Sequence, residues 1–181
     1  MEEITKLEMP DYIGTFSLGD YCLVKPHDLL PKDFLFRFIA QFLWAESYEH
    51  TYELPSMAGL FLMYVSERAP SEGESEKING KIIDGIGDST FEGRINASEI
   101  EFKKQYDDNA IERGGAKNEV AYRGRRNNGH GYSGRFDFLS RGDILRETIE
   151  GGFVLQECLE HEWDEGAFLE AINFLRSFES Y

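Results

Sequence analysis

Hydrophobic and polar residues alternate along much of the chain between Lys77 and Leu139. One face of the segment 99–106 carries Ile100, Phe102, Lys104 and Tyr106, and the other face carries Glu99, Glu101, Lys103 and Gln105. A two-residue period is typical of a β-strand with one buried face. Glycines lie between and within these runs, as they do at turns and in strongly bent strands. The pattern predicts several short antiparallel strands that form a closed or nearly closed barrel.

The strands are predicted near Gly59–Val65, Ile78–Ile86, Thr90–Asn96, Glu99–Tyr106, Asn118–Gly124, Tyr132–Leu139 and Gly152–Glu157. Short hairpin turns are predicted at Asp88-Ser89 and at Asn96–Ser98, and a longer connection at Asp107–Lys117. Before Pro26 the alternation around Gly14 and Gly19 is weak, which predicts one or two short strands at most.

Two segments have a helical period instead. Between Lys32 and Trp44 the apolar residues recur at helical spacing after Pro31, which predicts a helix of about three turns, with a buried strand as the alternative. At the C-terminus, Asp164 is a candidate N-cap for an amphipathic helix over about 164–179. Its apolar positions are Phe168, Leu169, Ile172, Leu175 and Phe178. Such a helix needs a partner surface, most simply the outside of the barrel.

The length of 181 residues suits a single domain over 1–181, with the barrel core at about 44–157. A formal net charge of −15 argues against nucleic acids and anionic membranes as partners. The acidic N-terminus and the lack of a long apolar run predict a soluble cytoplasmic protein. Cys22 and Cys158 are far apart in sequence and are interpreted as two buried thiols rather than a disulfide. No metal site and no cofactor are predicted.

Six short motifs follow one another along the chain. They are Met57-x-Gly59-Leu60-x-Leu62, Gly80-x-Ile82-x-Asp84-Gly85-x-Gly87-Asp88, Phe91-x-Gly93-x-Ile95, Ile100-x-Phe102-x-Lys104-x-Tyr106, Val120-x-Tyr122-x-Gly124 and Gly134-x-Phe136. Together they resemble the strand-by-strand signature of small calycin-like bacterial proteins, related in shape to lipocalins and avidins. The resemblance covers roughly Trp44 to Glu157. It implies an antiparallel up-and-down barrel.

Lys104 shares a strand face with Phe102 and Tyr106, and Tyr122 is expected across the sheet from it. If this face points inward, a cation and phenols among aromatic rings would orient an amphipathic ligand. If it points outward, Lys104 is a solvated residue whose stem lies on aromatic rings.

Two further residues complete the candidate ligand site: Phe136 and His50. His50, beside Glu49 in an alternating stretch, is either an acid or base lining a cavity or a partly exposed strand histidine. We favour the second interpretation of His50.

Arginines are concentrated in one loop and the strand before it: Arg123, Arg125 and Arg126. Fork-shaped guanidinium donors on a glycine-rich turn are suited to a carboxylate or phosphate. The alternative, which we favour at this stage, is a surface that balances the acidic remainder of the chain. Asp84 and Asp88 flank Gly85–Gly87 and are interpreted as a hairpin turn in which Asp88 bonds its own backbone, in preference to a cation site.

Three functions are compatible with these observations. The leading hypothesis is a non-enzymatic calycin-like barrel that binds a small, mostly apolar or amphipathic ligand. The second is a structural or protein-interaction module whose barrel is filled by its own aromatic side chains. The third is a small cofactor-free barrel enzyme that uses His50, Tyr52 or Lys104. A homo-oligomer is compatible with all three.

Overall fold

The computed structural model describes residues 3–18, 58–127, 130–139 and 148–177. The strands in these ranges are β1 (Tyr12–Leu18), β2 (Ala58–Pro70), β3 (Glu76–Asp84), β4 (Asp88–Ile95), β5 (Glu99–Tyr106), β6 (Val120–Arg126), β7 (Gly131–Leu139) and β8 (Thr148–Glu157). The helices are a short α1 (Asp108–Glu112), a 3₁₀ turn (Glu160–Glu162) and α2 (Glu165–Ser177). Among these described residues, no helix is both long and apolar enough to cross a bilayer.

Each strand pairs antiparallel with the next one along the chain, and β1 pairs with β8 to close the barrel. This confirms the predicted mainly β, antiparallel up-and-down barrel with a C-terminal helix. The barrel begins at Tyr12, before Trp44, where the sequence placed the start of the core. The alternation in β1 is weak because an inward position is occupied by Gly14. The predicted helix over Lys32–Trp44 lies outside the described residues.

Inward-facing side chains of the barrel form one continuous apolar core, with aromatic rings as its largest members. Two inward glycines on neighbouring strands make room for these rings. A side chain at Gly14 would overlap the ring of Phe61, and one at Gly59 would overlap the ring of Phe16. Small and large inward residues are thus matched across β1 and β2, as filling a narrow barrel requires.

The C-terminal helix α2 covers the outside of the barrel at β1 and β2. Phe168, Ile172 and Leu175 are buried in a second apolar cluster, together with Ile13, Leu60 and Leu62. The Asp164 side chain accepts a hydrogen bond from the Ala167 N–H at 3.1 Å, which confirms the predicted N-cap. The same cluster holds Cys158, a free thiol whose burial raises its pKa to about 11. Cys22 lies outside the described residues.

Of the two predicted short hairpin turns, one is confirmed and the other is wrong. Asn96 accepts hydrogen bonds from the N–H groups of Ser98 and Glu99, both at 2.8 Å, in the predicted turn. The turn predicted at Asp88-Ser89 is wrong, because both residues belong to β4. The turn is at Gly85–Gly87, and Asp84 stabilises it by accepting from the N–H groups of Ile86 at 2.8 Å and Gly87 at 3.0 Å.

Ile172→Ala should destabilise the protein by about 2–5 kcal/mol, because the fully buried side chain of Ile172 leaves a cavity between α2 and the barrel. The measurement is the urea midpoint of unfolding. Glu170→Ala on the exposed side of the same helix is the matched control and should change stability by less than about 0.5 kcal/mol. Equal midpoints for Ile172→Ala and the wild type would contradict the packing of α2.

Candidate functional site

The face of β5 that carries Lys104 points into the barrel. Lys104 is 2% exposed, and Phe102, Tyr106 and Tyr122 are buried around it. The open question from the sequence is therefore answered: the cation and the two phenols lie inside, and Phe136 lies in the same core. His50 lies outside the described residues.

Lys104 is paired with a carboxylate inside the barrel. Its Nζ lies 3.1 Å from Oδ2 of Asp84 and 2.8 Å from the hydroxyl of Tyr106. The Tyr106 hydroxyl in turn donates to the same Asp84 oxygen at 2.6 Å. The three groups form a closed triangle of hydrogen bonds, which we call the Lys104 cluster.

Asp84 is the last residue of β3 and has no accessible surface. Its second carboxylate oxygen accepts the two turn N–H groups described above, and its main-chain oxygen accepts from Nε of Arg176 at 2.9 Å. Arg176 also donates to Asp88 at 2.8 Å. A single residue therefore joins the interior of the barrel, the turn between β3 and β4, and the end of α2.

The charge states of the Lys104 cluster follow from these contacts. Burial on its own lowers the pKa of Lys104, but the oxygens of Tyr106, Tyr122 and Asp84 raise it well above its ordinary value. Burial, followed by the Asp84 carboxylate, raises the pKa of Tyr106 well above that of an ordinary phenol. At neutral pH Lys104 is thus an ammonium and Tyr106 a protonated phenol. A proton-transfer catalyst needs a group whose pKa lies near the working pH, and neither Lys104 nor Tyr106 meets that condition.

Aromatic rings surround the ammonium group. Lys104 Nζ lies 4.3 Å from the ring centroid of Tyr106, 5.6 Å from that of Tyr122 and 5.8 Å from that of Phe16. A cation over the face of an aromatic ring is attracted electrostatically, and the attraction increases when water is excluded. The rings therefore add to the stabilisation of the Lys104 ammonium group, whose charge Asp84 neutralises.

The rings also contact one another. Phe102 and Tyr122 are stacked, with centroids 4.5 Å apart and planes 6° apart. Tyr122 lies 5.2 Å from Phe153 and 5.4 Å from Phe136. Further ring pairs extend this network: Phe91–Phe102 at 5.8 Å, Phe16–Phe136 at 5.9 Å and Phe61–Tyr122 at 6.1 Å.

The predicted arginines have different environments. Arg126 lies 3.8 Å from Glu157, 3.4 Å from the Tyr132 hydroxyl and over the Tyr132 ring. Arg123 and Arg125 are exposed on the outer wall of β6, next to Arg94 of β4 and Arg135 of β7. The sequence grouped Arg126 with Arg123 and Arg125, and it did not identify Arg94 and Arg135 as their neighbours.

The sequence reasoning also missed Asp84 as the partner of Lys104. A signal was present, because Asp84 lies two residues after Ile82 and therefore on the same face of β3 as the core residues Ile78 and Ile82. It was not recognised because Asp84 also begins the segment Gly85–Gly87, which invites assignment to a turn alone.

Lys104→Met should destabilise the protein by about 3–5 kcal/mol, since it leaves the Asp84 carboxylate buried without its cation. Lys103→Met is the matched control, because Lys103 is the exposed neighbour on the same strand and lies 3.9 Å from Glu119 at the surface. The control should change stability by about 1 kcal/mol or less. Urea unfolding of both variants tests this, and similar midpoints would contradict a buried ion pair.

Stability should decrease as the pH rises above about 10, where tyrosine and lysine ionise in an unfolded chain. Burial raises the pKa of Tyr12, Tyr64, Tyr106 and Tyr122 in the folded state, and the pKa of Lys104 is raised as well. The folded state therefore retains protons that the unfolded state releases, and this stabilising contribution is complete below about pH 10 and lost above it.

The measurement is tyrosinate absorbance during an alkaline titration, with circular dichroism recorded in parallel. These four tyrosines should ionise together with the loss of β-sheet signal. Ionisation of all nine tyrosines of the chain while the fold persists would contradict the prediction.

The closed eight-stranded antiparallel barrel has the architecture that the resemblance to calycin-like proteins implied. Comparisons of this chain with protein-family models, with curated proteins and with solved structures find no significant match. The architecture is therefore established by the strand pairing of this chain itself, and the function has to be argued from its own residues.

Proposed function

We propose that this protein is a non-enzymatic, calycin-like barrel with a self-filled interior, which acts as a structural or protein-interaction module. The observation that carries the proposal is the internal pairing of Lys104 with Asp84 and Tyr106. A barrel that uses a buried lysine to hold an anionic ligand needs that lysine to face the ligand. Here the protein's own carboxylate occupies that position.

The aromatic network supports the same proposal. Seven rings, from Phe16, Phe61, Phe91, Phe102, Tyr122, Phe136 and Phe153, contact one another across the barrel interior. A ligand among them would have to separate stacked or edge-to-face rings, each pair of which contributes about 0.5–1.5 kcal/mol beyond its buried area. The interior is therefore suited to stability rather than to exchange of a guest molecule.

The outer surface is where such a module would meet a partner. Every strand of the described barrel has two hydrogen-bonded neighbours, so the sheet has no free edge for strand addition. Helix α2 already covers β1 and β2. The outer wall of β4 to β7 remains exposed, and positive charge is concentrated there at Arg94, Arg123, Arg125 and Arg135.

Ligand binding in the interior is the second candidate, favoured by the convergence of Lys104, Tyr106 and Tyr122 among aromatic rings. It requires the ligand's anionic group to compete with Asp84 for Lys104 and its apolar part to displace rings. An enzymatic function finds less support, because Lys104 is held as an ammonium and Tyr106 as a phenol.

Binding of two apolar probes separates the two candidates. N-phenyl-1-naphthylamine is neutral, and decanoate carries the carboxylate that Lys104 would bind. If the barrel is self-filled, neither should bind the wild-type protein saturably, as measured by probe fluorescence and by calorimetry. One-to-one binding of N-phenyl-1-naphthylamine to the wild type would overturn the proposal and favour the ligand-binding alternative. So would decanoate binding that persists when Arg123 and Arg135 are replaced by Gln.

A cavity variant shows that the assay detects interior binding. Phe153→Ala removes a fully buried ring and leaves a cavity large enough for a small aromatic guest. Benzene should raise the melting temperature of this variant by mass action and leave that of the wild type unchanged. An equal benzene shift in both proteins would indicate that the wild-type interior is already open.

A further inference from the structure

Four arginines from three strands lie together on the outer wall of the barrel. They are Arg94 of β4, Arg123 and Arg125 of β6, and Arg135 of β7, and they line a surface depression with a volume of about 510 Å³. We call them the arginine surface. Glu99 and Glu101 of β5 line the same depression, so four cations face two carboxylates on a chain whose formal net charge is −15.

The arginine surface is not neutralised by ion pairing. Within the described ranges, none of the four guanidinium groups lies within 4.0 Å of a carboxylate, whereas Arg68, Arg126 and Arg176 each have an acidic partner. Glu101 is the registered neighbour of both Arg94 and Arg123, and Glu99 is the registered neighbour of Arg125. The four arginines thus keep their hydrogen-bond donors available, although carboxylates lie on the adjacent strand.

Arg123 and Arg135 are direct cross-strand partners in the pairing of β6 with β7. Like charges at opposed positions destabilise a sheet. Both side chains point outward and line the same depression. A bound anion would offset the repulsion between these two arginines. A like-charge pair beside an open depression is therefore the arrangement expected at an anion-binding site.

The spacing of the arginines limits the size of that anion. Arg123 and Arg125 are two residues apart on one strand, or about 6.5–7 Å. Arg123 and Arg135 are opposed across the sheet, about 5 Å apart. These are spacings of the strand positions, from which three long side chains can converge on two neighbouring anionic groups. Each guanidinium fork binds a carboxylate or phosphate bidentately. A long polyanion would have to leave this depression and cross the acidic remainder of the protein, where it is repelled.

We infer that the arginine surface binds a small polyanion with two or more phosphate or carboxylate groups. The inference goes beyond the proposed function, because it assigns a ligand class to the outer wall and is independent of the state of the interior. Its ligand is held by exposed arginines and does not enter the barrel.

Calorimetric titration with pyrophosphate and with citrate at fixed ionic strength tests this inference, and the two probes distinguish phosphate from carboxylate groups. At least one of them should bind the wild type saturably and one-to-one. Arg123→Gln combined with Arg135→Gln should weaken that binding at least tenfold while the thermal unfolding of the protein shows that it is still folded.

Two further variants separate a site from bulk charge. Lys6→Gln combined with Lys117→Gln removes the same two positive charges from exposed positions outside the depression and should leave binding unchanged. Arg123→Lys combined with Arg135→Lys keeps the charge but removes the forks, and should weaken binding.

Several results would overturn the inference. They are the absence of saturable binding of both probes, equal weakening in the Lys6 and Lys117 variant, and undiminished binding in the Arg→Gln variant. Binding of a thymidine oligonucleotide or of polyglutamate, without binding of pyrophosphate or citrate, would assign the surface to a polymer instead. The neutral probe used for the interior carries no charge, so a failure of the proposed function is detected separately.

Discussion

The Asp84 carboxylate is the group on which the arrangement of the barrel most depends. One oxygen accepts the N–H groups of the β3–β4 turn, and the other accepts from Lys104 and Tyr106 of β5. Since β4 lies between β3 and β5, these contacts reach across a strand. A shift of β5 by two residues would keep the same face inward but place Phe102 or Tyr106 where Lys104 lies. Asp84 would then be buried without a cation, which is strongly unfavourable. The pair therefore disfavours wrong registers more than it stabilises the right one.

The ion pair and the aromatic network depend on each other. Removing two charges from water is costly, and a buried pair contributes little net stability unless its remaining donors and acceptors are satisfied. Asp84 meets that condition through four hydrogen bonds to its carboxylate, and Lys104 through Asp84, Tyr106 and the nearby ring faces. The rings exclude the water that would weaken these contacts. The aromatic filling of the barrel and the buried Lys104–Asp84 pair therefore stabilise each other.

The period of two was sufficient to predict the strands, because a buried face requires it whatever the partners are. It also placed Phe102, Lys104 and Tyr106 on one face, but alternation alone does not say which face points inward. The sequence carried a signal that Asp84 faces inward, but it did not show that Asp84 meets Lys104. The two residues are 20 apart in sequence, on strands separated by β4, and they meet only in the closed barrel. The arginine surface was recognised in part for the same reason. Arg123 and Arg125 are close in sequence, whereas Arg94 and Arg135 join them only through the register of four strands.

Positive charge is paired with a carboxylate inside the barrel and, among the described residues, is left unpaired at Arg123 and Arg135 on the outer wall of β6 and β7. This difference supports separate roles for the two sides. Inside, Lys104 is paired with the Asp84 carboxylate, so its charge is neutralised within the fold. Outside, Arg123 and Arg135 are opposed across β6 and β7 with no carboxylate within 4.0 Å among the described residues. Exposed ion pairs contribute little to stability, so the fold gains little by completing them. Among the described residues, four neighbouring arginines without a carboxylate within 4.0 Å concentrate positive charge at this one place on a strongly acidic chain. On this physical ground we propose that the interior serves stability and the outer wall serves recognition.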